Sequence, residues 1–564
     1  MIEITEKGSG RRILCREGSN LMEALLHAGM HVDNACNGKG TCGKCRVRIS
    51  GCSLPPAAET ERRLLGEAEL EDGVRLACLL SADRDMTVEL LRREGIHRVL
   101  ESGFMPDFAY EPSVRKQFSP GRGMTSVYYE DTLLSREEGD TTDLMYGAAL
   151  DIGTTTVVLS LTDLLSGREV ASAARINAQK LYGLDVLTRI TYEIEHPEDG
   201  ARALQRVIVC SINEMLEEVC AKAGISRRSV YEIAVAANTT MLHMLLGVDA
   251  RSIGQAPFLP SFTSSKVLPA ASIGLEAAEQ ARLYCLPSVS AYIGADIVAG
   301  AYVCGLRQRK ENLLFIDIGT NGEIVLSKEG SLSSCSCAAG PALEGMNISA
   351  GMRAADGAIE DVEITEGGVR LSVIGDKPPS GLCGSGILAA VRELVDKGLV
   401  KASGVFLRRE SLAEGDPRKT LLGQDGKKRY FILSESPALR VTQSDVRQVQ
   451  LAKGAILSGF YTLLHSQGME MGDLDGVLVA GQFGAHLPAK SLVGAGILPR
   501  EVESRISYVG NASKAGAYMA LMSRRVKEEL ETLSSSIEYV ELSQREGYER
   551  LFTDCMRFDT ERKG

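Results

Sequence analysis

The sequence predicts a multidomain protein of α+β and α/β class, in which a small N-terminal unit precedes a linker and a duplicated, two-lobed core. Three observations support this division. The chain has 564 residues, too many for one hydrophobic core. Cysteine and glycine cluster near the N-terminus, and the segment FIDIGTNGEI (315–324) repeats the design of LDIGTTTVVL (150–159). We expect an N-terminal unit at 1–92, a linker at 93–146, a first lobe at 147–312, a second lobe at 313–545 and a C-terminal tail at 546–564.

The composition argues against several classes of protein. The chain has 74 Asp and Glu against 63 Lys and Arg, a net charge of −11, so we expect neither a nucleic-acid groove nor a basic surface for anionic membranes. No apolar run reaches the length of about 18 residues that indicates a membrane span. The first residues, MIEITEKGSGRR, lack the apolar region of a signal peptide, so we expect a cytoplasmic protein. The 14 cysteines of such a chain favour metal or redox use over disulfides.

A cysteine motif dominates the N-terminal unit. Cys36, Cys42 and Cys45 form the pattern C-x5-C-x2-C within ACNGKGTCGKC, and Cys78 follows in RLACLLSAD. The glycines of this loop permit unusual φ angles and bring backbone N–H groups close to the sulfur atoms, which stabilises thiolates. A structural zinc site is the alternative, but zinc ribbons use two C-x2-C pairs and only one is present here. The surrounding chain predicts strands at 2–6, 11–15 and 46–50 and a helix at 19–29. The unit resembles the β-grasp ferredoxin fold, which implies that these four cysteines bind a [2Fe–2S] cluster.

The connector at 93–146 mixes Pro, Gly, charged residues and scattered aromatics without a sustained period. We interpret it as a linker that carries a few docked turns. Its six Phe and Tyr residues from Phe104 to Tyr129 are expected to fasten it to a neighbouring domain, and a partner-binding segment is the alternative.

Both D-I-G-T segments of the core follow an apolar run that predicts a buried strand. Asp151 and Asp317 come near the ends of these strands, and a glycine then turns the chain into a second apolar run. Such a hairpin leaves backbone N–H groups free for phosphate oxygens, and an Asp at the strand end suits a hydrated Mg²⁺. Two copies therefore predict a duplicated nucleotide-binding core. The turn residues expected at the nucleotide are Gly153, Thr154, Thr155, Thr156, Gly319, Thr320, Asn321 and Gly322.

Further segments of the core also predict parts of a nucleotide site. The segments 290–306 and 510–521 predict helices rich in small residues, which either act as a hinge between two lobes or simply pack closely. A strand at 477–480 leads into a glycine turn whose backbone could lie flat against a purine. The residues of this turn are Gly481, Gln482, Phe483 and Gly484.

Single side chains complete the set of candidates. Ser385, near the N-terminus of a predicted helix, is expected to contact an anion or a ribose, and Glu344 is expected to polarise the attacking water. We interpret His243 as a core histidine. Cys335, Cys337 and Cys383 fall short of four ligands, so we expect no second cluster there.

The order of these motifs resembles the ribonuclease H-like, two-lobed ATPases of the acetate and sugar kinase, Hsp70 and actin superfamily. With a ferredoxin-like unit upstream, nearly the whole chain resembles the reductive activators of corrinoid proteins. GPALEGMNISAGMRA, ANTTMLHMLLG and VAGQFGAHL look like that family's own versions of its motifs. The connector is short beside members that carry a separate middle domain.

The resemblance implies ATP-dependent, one-electron reduction of an inactive Co(II) corrinoid protein to its Co(I) state. The implied cofactors are a [2Fe–2S] cluster, ATP and Mg²⁺, and the implied partners are a corrinoid protein and an external low-potential electron donor, with a homodimer left open. Asp151 and Asp317 would hold Mg²⁺ and water. The phosphates would bind Thr154, Thr155, Thr320 and Asn321.

Three other functions stay open from the sequence. An activator of 2-hydroxyacyl-CoA dehydratases or aryl-CoA reductases has a similar ATPase core, but its [4Fe–4S] cluster is shared between two subunits. A small-molecule kinase would leave the four N-terminal cysteines without a role. An Hsp70-like binding module would respond to unfolded peptide and not to a corrinoid.

Overall fold

The computed structural model describes residues 2–7, 12–28, 45–91, 99–100, 103–104, 106–365, 367–426, 428–436, 438–481 and 487–559. The chain divides into two compact units, Met1–His97 and Arg98–Gly564. No helix among these described residues is both long enough and apolar enough to cross a membrane.

The N-terminal unit is built on a mixed five-stranded sheet with the strand order β2-β1-β7-β4-β5. Its elements are β1 (Ile2–Glu6), β2 (Arg12–Cys15), β3 (Ser19–Asn20), α1 (Leu21–His27), β4 (Arg46–Ser50), α2 (Glu59–Leu64), α3 (Glu67–Glu71), β5 (Val74–Leu76), β6 (Ser81–Ala82) and β7 (Met86–Leu90). Strand β1 lies parallel to β7 and antiparallel to β2. Alternate residues of β1 and β4 are buried, and Leu21 and Leu25 of α1 join the same core. This arrangement confirms the β-grasp fold that the sequence predicts.

Residues 114–138 differ from the linker expected for them, because they form a three-stranded antiparallel sheet. The short strands β8 (Val99–Leu100) and β9 (Gly103–Phe104) precede β10 (Val114–Ser119), β11 (Met124–Tyr129) and β12 (Thr132–Glu138). The sheet is fastened to the rest of the second unit by Lys527, whose Nζ donates to Tyr129 Oη at 3.2 Å and pairs with the buried carboxylate of Glu232 at 2.5 Å. The buried residues of β11 are a threonine, a valine and a tyrosine. Because one of the three is polar, the alternation of buried and partly exposed residues along the strand is not visible as an alternation of apolar and polar residues in the sequence.

Two six-stranded sheets form the core of the second unit, with the strand orders β15-β14-β13-β16-β18-β17 and β29-β28-β19-β20-β21-β30. In the first lobe the elements are β13 (Tyr146–Ile152), β14 (Thr156–Asp163), β15 (Glu169–Ile176), α4 (Val186–Glu195), α5 (Gly200–Ala223), β16 (Val230–Ala237), α6 (Thr239–Leu246), β17 (Lys266–Pro269), β18 (Arg282–Cys285) and α7 (Ala295–Val303).

The second lobe repeats this plan. Its elements are β19 (Leu313–Ile318), β20 (Gly322–Lys328), β21 (Ser331–Cys337), β22 (Ala358–Thr365), β23 (Gly368–Val373), β24 (Gly381–Leu382), α8 (Gly384–Asp396), β25 (Leu422–Asp425), β26 (Lys428–Ser434), β27 (Leu439–Thr442), α9 (Gln443–Ser466), β28 (Gly476–Ala480), α10 (Ala489–Gly494) and β29 (Ile506–Gly510). Strand β13 is antiparallel to β14 and parallel to β16, and β19 is likewise antiparallel to β20 and parallel to β28. The shared topology confirms the duplicated, ribonuclease H-like core.

The last elements of the chain do not follow the expected boundaries. They are α11 (Ala512–Met522), α12 (Arg524–Ser536), β30 (Ile537–Tyr539) and α13 (Tyr548–Cys555). Helices α11 and α12 return to the first lobe and contribute to its hydrophobic core. Helix α13 replaces the tail predicted at 546–564 and packs on α9, where Lys453 Nζ donates to the carbonyl of Cys555 at 2.7 Å. This hydrogen bond comes from a residue far away in the sequence, so the sequence around α13 gives no sign that the segment packs on the core.

Candidate functional site

Two of the four predicted cluster ligands meet in the N-terminal unit. Cys45, just before β4, and Cys78, after β5, are both buried, and their sulfur atoms lie 3.2 Å apart. The buried ion pair of Arg75 and Glu61, at 2.6 Å, fixes β5 and therefore the approach to Cys78. The thiols of Cys45 and Cys78 form no disulfide, so both are available as thiolates that bind iron. Cys36 and Cys42 lie outside the described residues.

The D-I-G-T segments form matching tight turns, which we call the first turn (Gly153–Thr155) and the second turn (Gly319–Asn321). The Gly153 amide donates to the carbonyl of Thr156 at 2.9 Å, and the Gly319 amide donates to the carbonyl of Asn321 at 3.0 Å. The other amides of both turns have no acceptor in the described part of the chain, so they are free to meet phosphate oxygens. These free amides belong to Thr154, Thr155, Thr320 and Asn321.

A group of half-buried carboxylates lies beside the two turns. Asp151 and Asp317, which the sequence predicts, are joined by Asp296 in the first turn of α7 and by Glu323 on β20. Burial, together with the charge of Asp151, raises the pKa of Asp317 to about 7. Burial and the charges of Asp317 and Asp151 raise the pKa of Asp296 to about 8, and burial followed by the charge of Asp296 raises that of Glu323 strongly. Such mutual repulsion indicates a place for a cation.

Asp296 and Glu323 are missed by the sequence reasoning. The signal for Asp296 was the acidic residue in G-A-D at the start of the helix predicted at 290–306. The signal for Glu323 is only a charged residue inside the apolar strand that follows the second turn.

In the described part of the chain, no three side chains of His, Cys, Asp or Glu are arranged to hold a metal ion together. Mg²⁺ needs only one or two carboxylates when water and phosphate complete its shell, so this donor set fits it.

Helix α11 orients the first of these carboxylates. Asn511 donates from Nδ2 to Asp151 Oδ2 at 2.8 Å, and Ser513 donates from Oγ to Asp151 Oδ1 at 2.7 Å. Asn511 also caps α11, because its Oδ1 accepts from the amide of Lys514 at 2.8 Å. Any shift of α11 therefore acts directly on Asp151.

Glu344 connects the two turns. Its Oε2 accepts from Thr155 Oγ1 at 3.2 Å and its Oε1 accepts from Thr320 Oγ1 at 2.5 Å, so one carboxylate joins one hydroxyl of each lobe. Burial raises the pKa of Glu344, whereas the two hydroxyl donors and the charge of Arg353 lower it in part. Arg353 was not singled out from the sequence, and its Nη2 is buried without a hydrogen-bond partner among the described residues.

Gly481 lies directly against Asp317. Its φ of +92° suits glycine, and a Cβ added there would lie 2.5 Å from Asp317 Oδ1. The strand and the glycine that the sequence places here are therefore found beside the second turn. Gln482, Phe483 and Gly484 lie outside the described residues, so their contact with a purine stays a prediction.

The remaining candidates have structural partners. Ser385 is buried and lies 3.1 Å from the sulfur of Cys383, so its contact with a ribose or an anion stays a prediction. Thr156 and Gly322 begin the second strands of their hairpins. His243 is a core residue, because its Nδ1 bonds the Thr239 carbonyl at 2.8 Å, its Nε2 accepts from the Ser261 amide at 3.0 Å and its ring stacks on Phe262.

Cys335, Cys337 and Cys383 of the second lobe each have their own backbone partner. Cys335 bonds the carbonyl of Gly459, Cys337 that of Gly322 and Cys383 that of Ile359. Burial raises the pKa of Cys335 and that of Cys337, which keeps both in the thiol form.

The two helices rich in small residues cross closely. A Cβ added at Gly516 of α11 would lie 2.5 Å from the Cβ of Ala299 on α7, and one added at Gly300 would lie 2.3 Å from the ring of Phe315 on β19. The predicted close contact is therefore present. A hinge motion at this crossing stays a prediction.

Comparisons with known proteins assign a family description to each part of the chain. Residues 4–83 match a 2Fe-2S iron-sulfur cluster binding domain, residues 146–309 match the RACo middle region, and residues 311–563 match the C-terminal domain of RACo, described as the ASKHA domain. The middle region is thus present, and it includes the first of the two turns.

Relatives similar over most of their length support the same assignment. The chain is 30% identical over 560 residues to the corrinoid activation enzyme RamQ of Eubacterium limosum, covering 90% of each chain. It is 26% identical over 403 residues to the [Co(II) methylated amine-specific corrinoid protein] reductase of Methanosarcina barkeri, covering 66% of this chain and 69% of that protein.

A solved structure matches in full. It is the reductive activator for corrinoid, iron-sulfur protein, with a TM-score of 0.72 and 30% identity, and the match covers 99% of this chain and 98% of that chain. The short connector suggests from sequence that a separate middle domain is missing. Because the match to the middle region and to this whole structure includes that part, this expectation is wrong.

Proposed function

This chain belongs to the family of reductive activators of corrinoid proteins, and from that premise we propose how its residues drive the reaction. The protein uses ATP to promote a one-electron reduction of a Co(II) corrinoid protein to the Co(I) state. The observation that carries the mechanism is the contact of both turns with Glu344, because it supports a single nucleotide site between the two lobes of a chain that also has a cluster domain.

The turns are proposed to bind the phosphates of ATP. The amides and hydroxyls of Thr154, Thr155, Thr320 and Asn321 act as donors, since all four amides lack another acceptor in the described part of the chain. When bound, Mg²⁺ neutralises charge on the phosphates. Asp151 and Asp317 hold the ion and its water, and Asp296 and Glu323 extend the negative field around it.

Glu344 is proposed to act in two stages. Before nucleotide binds, its carboxylate occupies the hydroxyl donors that phosphate oxygens need, one on each lobe. Phosphate then takes over these donors and frees the carboxylate, which accepts a proton from the attacking water as ATP becomes ADP and phosphate. The exchange also replaces a contact between the lobes, so it couples the chemistry to lobe position.

The N-terminal unit is proposed to deliver the electron. When bound, the [2Fe–2S] cluster supplies one electron at about −400 mV. The chain's own part is to supply the thiolates of Cys36, Cys42, Cys45 and Cys78, of which Cys45 and Cys78 are buried. Each turnover removes one electron, so charge balance calls for an external low-potential donor. A homodimer stays a prediction.

ATP is needed because the transfer is uphill, since the Co(II)/Co(I) couple of a resting corrinoid lies at a lower potential. If lobe closure favours one state of the partner by a factor of about 10⁴, the equivalent for one electron is about 240 mV. Helix α11 offers a route for this coupling, because it holds Asp151 and also crosses α7 at Gly516.

The test is anaerobic. The reduced protein is mixed with a Co(II) corrinoid protein, and the Co(I) absorption is followed with and without ATP. We expect Co(I) to accumulate only with ATP and to depend on phosphate release. Equal formation without nucleotide would refute the coupling, and conversion of ATP to ADP with a phosphorylated small molecule in place of free phosphate would point to a kinase.

A further inference from the structure

The side chain of Arg189 is fully buried in the first lobe, directly behind the first turn. From α4 it donates Nη2 to the carbonyl of Thr154 at 2.5 Å and Nε to the carbonyl of Gly183 at 3.0 Å. Its Nη1 lies 3.3 Å from Gln179 Oε1 and 3.1 Å from Met241 Sδ. All four acceptors are uncharged, so the hydrogen bonds satisfy the guanidinium without neutralising it.

No carboxylate in the described part of the chain forms an ion pair with Arg189. Asp185 and Glu193, each four residues from Arg189 along the chain, bind elsewhere: Asp185 caps α4 by accepting from the Thr188 amide at 2.8 Å, and Glu193 accepts from the Ala250 amide at 3.1 Å. Burial lowers the pKa of Arg189 to about 10, although the charge of Asp185 raises it in part, and the side chain is still charged at neutral pH. A buried charge without a carboxylate in hydrogen-bond contact is costly, so we expect a closer negative partner when the protein is at work.

Each of the three carbonyls of the first turn accepts a hydrogen bond. Asn177 donates from Nδ2 to the carbonyl of Gly153 at 2.8 Å and from its backbone amide to the carbonyl of Thr155 at 2.9 Å. With Arg189 on the carbonyl of Thr154, three successive carbonyls are fixed. The free amides of Thr154 and Thr155 belong to this fixed backbone, which makes the turn a preorganised anion site.

The second turn lacks comparable support. In the described part of the chain, no hydrogen bond ends on the carbonyl of Gly319 or of Thr320. We propose that Arg189 is a positioning residue that holds the first turn in its phosphate-binding form and supplies the buried positive charge that the nucleotide phosphates neutralise. The inference rests on the proposed function for its ligand, ATP. It assigns to the first turn the role of discriminating nucleotides by phosphate charge.

Two variants separate charge from geometry. Arg189→Gln removes the charge, whereas Arg189→Lys keeps it but cannot reproduce the hydrogen bonds of the planar guanidinium. Dissociation constants are measured for adenosine, ADP and a non-hydrolysable ATP analogue, together with phosphate release. We expect Arg189→Gln to weaken ADP and the analogue by about tenfold or more, the factor that corresponds to about 1.4 kcal/mol, while adenosine binding stays unchanged. Arg189→Lys should retain most of the preference for ADP over adenosine while its kcat for hydrolysis falls.

Arg392 provides the matched control. It is a buried arginine in the second lobe, but it pairs with the carboxylates of Asp361 at 3.1 Å and Glu393 at 3.3 Å. Arg392→Gln should lower the melting temperature without changing the ratio of ADP to adenosine affinity.

If Arg189→Gln weakens the binding of all three ligands equally, or lowers only the melting temperature, Arg189 is merely structural. Should Arg189→Gln not fold, the Arg189→Lys result decides, because an unchanged kcat there overturns the positioning role. If the unaltered protein binds no nucleotide, the proposed function fails instead.

Discussion

Replacing Glu344 should tighten nucleotide binding while slowing hydrolysis. This combination of signs follows from the two hydroxyls that the carboxylate occupies, those of Thr155 and Thr320. A residue that only bound the nucleotide would weaken affinity when removed, and one that only activated water would leave affinity unchanged. Glu344→Gln keeps one acceptor oxygen and removes the charge, whereas Glu344→Ala removes both acceptors.

The expected magnitude follows from these two bonds. A hydrogen bond to a charged group has a net value of about 1.5–3 kcal/mol, and nucleotide must break both before its phosphates take the donors. The phosphates recover most of this energy by accepting from the same hydroxyls. If removal of Glu344 favours binding by about 1.4 kcal/mol, slightly less than the value of one such bond, the dissociation constant falls about tenfold. Loss of the general base should reduce the kcat of ATP hydrolysis by about 10²–10⁴-fold.

The assay measures equilibrium binding of ADP and a non-hydrolysable ATP analogue by calorimetry, and phosphate release in parallel. Glu360→Gln is the control, because Glu360 is an exposed carboxylate of the same lobe and its loss changes net charge alone. Unchanged or weaker binding by both Glu344 variants would refute the competition between this carboxylate and phosphate. Tighter binding with normal phosphate release would leave the competition intact and refute the role as base.

Two further predictions concern the second turn and the cluster domain. Gly481→Ala should slow ATP hydrolysis at least about tenfold in phosphate-release assays, because its Cβ would displace the carboxylate of Asp317 and a positive φ costs about 1–2 kcal/mol. Gly468→Ala is the control, because Gly468 also has a positive φ but no atom lies close to its added Cβ. Equal rates for the two variants would contradict the reasoning. Cys78→Ala should abolish Co(I) formation and the visible absorption of the cluster while nucleotide affinity stays unchanged. Cys52→Ala, which removes no predicted ligand, should keep both the absorption and Co(I) formation. Loss of nucleotide binding in Cys78→Ala would show that the two units are not independent.

Local signals were sufficient for the residues that lie where a strand ends. Asp151 and Asp317 each follow an apolar run and precede a glycine, and that order is enough to predict a hairpin turn with a free backbone. The spacing of Cys36, Cys42 and Cys45 is equally local. The close contact of the helices around Gly516 was predictable too, because small residues recur along both segments.

The residues that complete the site come from distant segments. Asn511 and Ser513 lie in a segment that the sequence predicts only as a helix rich in small residues, and only the fold shows that they hold the carboxylate of Asp151. The sheet found in place of the expected linker is held by a residue far along the chain, since Lys527 donates to Tyr129 and pairs with Glu232. Side chains that work through long-range hydrogen bonds leave no periodic pattern in the sequence.

By itself the sequence determined the classes of chemistry: four thiolates near the N-terminus and two turns fit for phosphate, each encoded within a few neighbouring residues. Only the tertiary structure decided how the turns are used. It brings Thr155 and Thr320 onto one carboxylate, adds Asp296 and Glu323 to the acidic group, and places the buried guanidinium of Arg189 against a carbonyl of the first turn. The physical reason is that the burial and electrostatics of a side chain depend on everything packed around it, and most of those neighbours are remote in sequence.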